Sequence, residues 1–134
     1  MLFELLEIYN QIGQIEDIGK RLETAMDRAL VVISKRKSAK HEICDFAGLR
    51  GVPEKIMKRV IKLLGENGEF KKLYNMYNQK RVPSQLVPII RNAMINAIKV
   101  LGERNDLEQL EKITEFKKSP HFSNDRMFEN FRIQ

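Results

Sequence analysis

Ile98-Lys99-Val100-Leu101-Gly102-Glu103-Arg104-Asn105-Asp106-Leu107 has an echo 37 residues upstream, Ile61-Lys62-Leu63-Leu64-Gly65-Glu66-Asn67-Gly68-Glu69-Phe70. Ile, Lys, Leu, Gly and Glu recur in place. Each copy then closes on an acidic residue followed by a large apolar one. A looser third copy stands near the start, Ile12-Gly13-Gln14-Ile15-Glu16-Asp17-Ile18. The pattern reads as helix, glycine turn, acidic cap, helix. The glycine permits a tight reversal, and the acid suits the positive end of the next helix. A unit of this kind has one apolar side it cannot bury alone, so units are expected to stack.

Outward from the repeat, apolar spacing marks helices along the whole chain. Leu2, Leu5, Leu6, Tyr9 and Ile12 fall at helical steps, and Gly13 breaks the run. From Ile15 to about Lys37 one stripe holds Ile15, Ile18, Leu22, Ala25, Met26, Ala29, Leu30 and Ile33. Glu16 and Asp17 fall in its first turn and Lys35, Arg36 and Lys37 in its last, matching the helix dipole at both ends. Ser38 can cap a short helix ending at Ala47, before the break at Gly48 and Gly51 to Pro53. A helix over 53–65 divides sharply, with Ile56, Met57, Val60, Ile61 and Leu64 opposite Lys55, Lys58, Arg59 and Lys62. Another helix covers 69–80. Residues 86–101 are apolar nearly all round, which predicts a helix covered on several sides, with Pro88 in its first turn. Asn105 or Asp106 caps the next helix, and Ser123 or Asn124 a last short one. The expected fold is all-α, with about seven helices in antiparallel pairs. Its divisions are a helix pair at 1–37, an inserted helix at 38–52, repeat units at 53–82 and 83–118, and a cap helix at 119–134. At 134 residues one domain is expected.

The stretch from Ile90 to Gly102, followed by Asp106-Leu107 and Leu110, resembles the HEAT-like helical repeat. In that pattern an Arg, here Arg91, precedes small residues, here Ala93 and Ala97, then Leu-Gly and an Asp-led second helix. The copy at 53–80 carries Ile56 and Val60 where small residues are usual. The resemblance implies a short superhelical stack that binds other macromolecules. A second resemblance competes for 41–68. His41 to Leu49 looks like the first helix and turn of a winged helix-turn-helix, and Ile56 to Gly68 resembles its recognition helix. That would make Phe70 to Leu86 the wing. Two features count against it: the turn from Leu49 to Pro53 is about three residues too long, and the wing lacks the Gly or Asp-Gly of a hairpin.

Charge is unevenly spread within the net +6. Residues 1–33 hold three cations against six acids, 34–99 fifteen against five, and 100–134 six against seven. A basic middle suits an acidic protein or nucleic acid as partner. The candidate contacts are Lys55, Lys58, Arg59, Lys62, Lys71, Lys72, Lys80 and Arg81, with Tyr74 and Tyr77 beside the second group. Basic faces are also the ordinary solvated side of a helix, and the two tyrosines equally suit the rim of a core.

No catalytic, cofactor-binding or metal-binding set emerges. His41 and Cys44 are three apart on a helix, but the other histidine, His121, is remote. Cys44 reads better as a small apolar residue and His41 as a surface one. Glu66 and Glu103 repeat in register as exposed turn residues. Gly48-Leu49-Arg50-Gly51 is too short to cradle a phosphate and lacks a following Lys-Ser or Lys-Thr. The acids in the N-terminal run argue against a signal peptide, and no window is apolar enough to span a membrane. A single cysteine suits a reducing compartment, hence the cytoplasm. The expected function is that of a non-catalytic adaptor for a protein partner, which a second copy of the chain could supply. The alternative is nucleic-acid binding through the basic 35–81 region.

Overall fold

The computed structural model describes residues 1–36, 39–79 and 82–116. All of its elements are helices: α1 (Leu2–Ile12), α2 (Glu16–Ser34), α3 (Ala39–Ala47), α4 (Glu54–Glu66), α5 (Phe70–Tyr77), α6 (Val87–Glu103) and α7 (Leu107–Phe116). No strand occurs among the described residues, so the all-α expectation holds. The cap helix expected at 119–134 lies outside them. Two compact units divide the chain, Met1–Leu63 and Leu64–Gln134, with the boundary inside α4.

In the first unit α1 packs along α2, and α2 meets α3. Leu2 and Leu6 bury the inner face of α1, and Met26, Leu30 and Ile33 that of α2. Phe46 of α3 is fully buried and meets the Phe3 ring edge-on, with centroids 5.9 Å apart. Burial of side chains this size contributes on the order of 1.5–3 kcal/mol each. Arg59 ties α4 to α2: its Nε donates to Asp27 Oδ1 at 2.9 Å and its Nη2 to Oδ2 at 3.4 Å.

Two expectations for α2 need correction. The helix ends at Ser34, so Lys35 and Arg36 follow its last turn instead of occupying it. Ser34 Oγ donates to the Val31 carbonyl at 2.7 Å, a local bond that competes with helix continuation. Ile15 and Ile18 also leave the buried stripe and are exposed: α2 begins only at Glu16, and its first turn buries Gly19 against the Gly13 turn instead.

In the second unit α6 packs against both α5 and α7, which is why it is apolar nearly all round. Ile90, Met94, Ala97, Ile98 and Leu101 are buried along it. Pro88 sits in its first turn, where the missing N–H costs nothing. Gly65 at the end of α4 faces α6 at close range. A Cβ there would stand 2.9 Å from the Ala93 carbonyl oxygen and 3.2 Å from the Ala93 Cβ.

The repeat read in the sequence is a repeat in hydrogen bonding. Glu69 N–H donates to the Leu64 carbonyl at 2.9 Å, and 37 residues on Asp106 N–H donates to Leu101 at 3.0 Å. Gly68 N–H reaches Gly65 O at 3.1 Å, and Asn105 N–H reaches Gly102 O at 3.1 Å. Both turn residues are left-handed, Gly68 at φ 73° and Asn105 at φ 55°. These are Schellman-type helix ends, in which a left-handed residue lets two N–H groups return to the last free carbonyls. Asn is the non-glycine residue that tolerates that conformation best. The turns also touch: Arg104 Nη1 donates to the carbonyl of Asn67, its own counterpart 37 residues earlier, at 3.4 Å.

The acids that follow differ. Asp106 Oδ1 accepts from the Gln109 N–H at 3.2 Å and caps α7. Glu69, one methylene longer, makes no capping bond to α5. The third, N-terminal copy forms another turn, since Gly13 is right-handed at φ −66° and Ile15 precedes α2 without a side-chain cap.

Candidate partner-binding site

On α4 the residues Lys55, Lys58 and Lys62 follow one another at steps of three and four, which places them on one face, with Arg59 next to Lys58 at its edge. Lys55, Lys58 and Lys62 are exposed. Arg59 is half-buried and its guanidinium is held by Asp27, so it is spoken for within the fold. Lys58 leans on Glu54, one turn back, at 3.3 Å. Lys71, exposed, and Lys72, half-buried, belong to α5 in the second unit. Lys80 and Arg81 lie outside the described residues. The basic set of the sequence therefore divides between the two units, with Lys55, Lys58 and Lys62 as its most available members.

Tyr74 is half-buried and stacks on Phe70 at 6.5 Å, which makes it part of the rim of the α5 packing. Phe70 to Tyr77 form a helix where a winged helix would place a hairpin. His41 is exposed and Cys44 half-buried on α3. Among the described residues no three His, Cys, Asp or Glu side chains converge as a metal site would require.

A different site stands out, and it lies on the first helix pair. Of the ten large apolar side chains exposed among the described residues, eight belong to residues 1–32. Phe3 and Val32, 55% exposed, face a groove of about 800 Å³ along α2 and the start of α1. Ala25 and Ala29, one turn apart, line its floor with Leu2. Lys20, Arg21, Arg28 and Arg36 line it too, and among the described residues the one acid in its lining is Glu42. Lys20 has only a loose contact with Glu16, at 3.9 Å. Arg21, Arg28 and Arg36 form no hydrogen bond or ion pair among the described residues.

Sequence reasoning passed over Lys20, Arg21 and Arg28 because they sit in a segment whose net charge is −3, and took Arg36 as a helix-end cation. The available signal was positional: Arg21 and Arg28 are seven apart, hence on one face of α2. A second depression, about 570 Å³ at the turn before α7, is lined by Glu103 and Glu111 and, among the described residues, by no cation.

Elsewhere on α1, the Tyr9 hydroxyl donates to Glu23 Oε1 at 3.3 Å. Partial burial, and then the negative charge of Glu23, raise the Tyr9 pKa above the ordinary tyrosine value. This pair fastens α1 to α2 away from the groove's basic rim. Comparison with protein-family models, with curated proteins and with solved structures gave no match to this chain.

Proposed function

We propose that this chain is a non-catalytic adaptor, built on HEAT-like helical repeats, that binds another protein through its first helix pair. The observation that carries the reading is the groove along α2, where exposed Met1, Phe3 and Val32 stand beside four cations, in a segment that also exposes Ile8, Ile12, Ile15, Ile18 and Val31 outside the groove. A contiguous apolar surface in water is unfavourable, and a patch bordered by charge is the usual mark of a protein-binding surface. The matching turns at 64–70 and 101–107 support the helical-repeat part of the reading. No described helix is long and apolar enough to cross a membrane. The single Cys44 suits the reducing cytoplasm, where we place the protein.

The test is to change Phe3 and Val32 together to Asp in the full chain. Val32 is well exposed, but Phe3 also meets the buried Phe46 ring, so the single variant Val32→Asp is run beside the double one and circular dichroism checks that each keeps its helical content. Affinity purification from the native cell should then lose the partner that the wild type retains. Equal recovery of that partner with a folded double variant would overturn the reading.

Lys55, Lys58 and Lys62, exposed on one face of α4, favour a second reading, nucleic-acid binding. Phosphate neutralisation by three lysines gives a log–log salt slope of about −2.7 on duplex DNA. Under this reading, reversing all three to Glu abolishes that contribution. An unchanged slope refutes the α4 face.

A further inference from the structure

We infer that the groove on the first helix pair takes an acidic amphipathic helix of a partner protein. The inference rests on the protein-binding reading and adds the chemistry of the occupant. Its charge follows from the rim, where Arg21, Arg28 and Arg36 bring guanidinium groups that no described acid engages. A guanidinium matches a carboxylate in two parallel hydrogen bonds, so Glu or Asp on the occupant is the natural complement.

The occupant's apolar face follows from the floor. Phe3 and Val32 are exposed there, while Ala25 and Ala29 leave a notch one turn long. A Leu or Phe from the occupant fills such a notch. A phosphate backbone would gain nothing from covering this floor, which separates the site from a nucleic-acid face.

Helical form follows from dimension and from what the fold offers. From Lys20 to Val32 the groove runs about 18 Å along α2, the length of about twelve helical residues. Arg21 and Arg28 are about 10 Å apart along that axis. Acids seven apart on an occupant helix match them, with its apolar anchors on the intervening turns. An extended peptide would need a strand edge to pair with, and none exists among the described residues.

The test uses the full chain, labelled with ¹⁵N, and two synthetic helical peptides with one apolar face in common. One peptide carries Glu along its flanks and the other Lys. The acidic peptide is expected to bind, with the largest amide shifts around Ala25, Ala29 and Val32, and the basic one at least about tenfold more weakly. The variant R21E/R28E/R36E should reverse that preference, a result that unfolding cannot mimic. Equal binding of the two peptides overturns the inference. So do shifts that map elsewhere, binding of a duplex oligonucleotide at these same amides, or self-association that fills the groove with a second copy. Loss of a native protein partner in the Phe3 and Val32 double variant, with no acidic-helix binding, leaves the adaptor reading standing and removes this one.

Discussion

Gly68 and Asn105 occupy the same position in two copies of one turn, and they offer a quantitative test of the repeat. An L-residue without special tolerance costs roughly 1–2 kcal/mol in the left-handed region. At Gly68, φ 73°, an added Cβ would also stand 3.1 Å from Leu101 Cδ2 and 3.3 Å from its Cγ, and Leu101 is buried. Reduced freedom of the unfolded chain returns about 0.4–1 kcal/mol. The expected net loss for Gly68→Ala is therefore about 1 kcal/mol. For a chain of this size that lowers the melting temperature by roughly 4 °C.

Gly68→Asn imports the residue of the second copy and should cost less than Gly68→Ala. At Asn105 the order is mirrored: Asn105→Gly should be nearly neutral and Asn105→Ala should lose about 1 kcal/mol. Urea unfolding followed by circular dichroism at fixed temperature ranks all four variants. A Gly68→Ala protein as stable as wild type, or an Asn105→Gly protein weaker than Asn105→Ala, would refute the shared left-handed turn.

Three further outcomes are expected. Gly65→Ala gains about 1 kcal/mol of helix propensity but overpacks against α6 at a cost of about 1–3 kcal/mol, so chemical denaturation should show a net loss. Because the nearest atom is the Ala93 carbonyl oxygen, adding Ala93→Gly should not restore stability. A double-mutant cycle on Asp27 and Arg59 should give a coupling of about 0.5–1 kcal/mol that shrinks with salt, since both side chains are partly exposed. Tyr9 should ionise above the usual tyrosine value of about 10, and Glu23→Gln should bring its titration back down, as followed by NMR. Its folded pKa is raised, so its contribution to stability is intact below that value and fades as pH rises through the folded one.

The turns were legible in the sequence because they depend on local chemistry. Gly or Asn at the left-handed position, followed by an acid and a large apolar residue, determines the reversal within about seven residues. The helix stripes were legible for the same reason: Ile56, Val60, Ile61 and Leu64 are buried as their spacing implied, while Met57 at the edge of that face is half-buried. Ile15 and Ile18 were misread because periodicity does not show which side of the first turn packs, and here it is the side of Gly19.

The groove was hidden for a related reason. Arg21, Arg28 and Arg36 become a rim only when α1 brings Leu2 and Phe3 beside Ala25 and Ala29, a contact no local pattern encodes. Summed charge pointed instead to the basic middle of the chain, where Arg59 proves to be held by Asp27. Charge counts do not register which cations already have an acid.

The most direct measurement places one photo-crosslinking amino acid at Val32 and, in a separate protein, one at Lys62, each in the full chain and in the native cell. Both positions are exposed, one in the groove and one on the basic face of α4. The expected result is a discrete protein adduct from position 32 that is absent from position 62. A discrete adduct from position 62 alone, or nucleic acid captured at either position with no protein at 32, would contradict a protein-binding first helix pair.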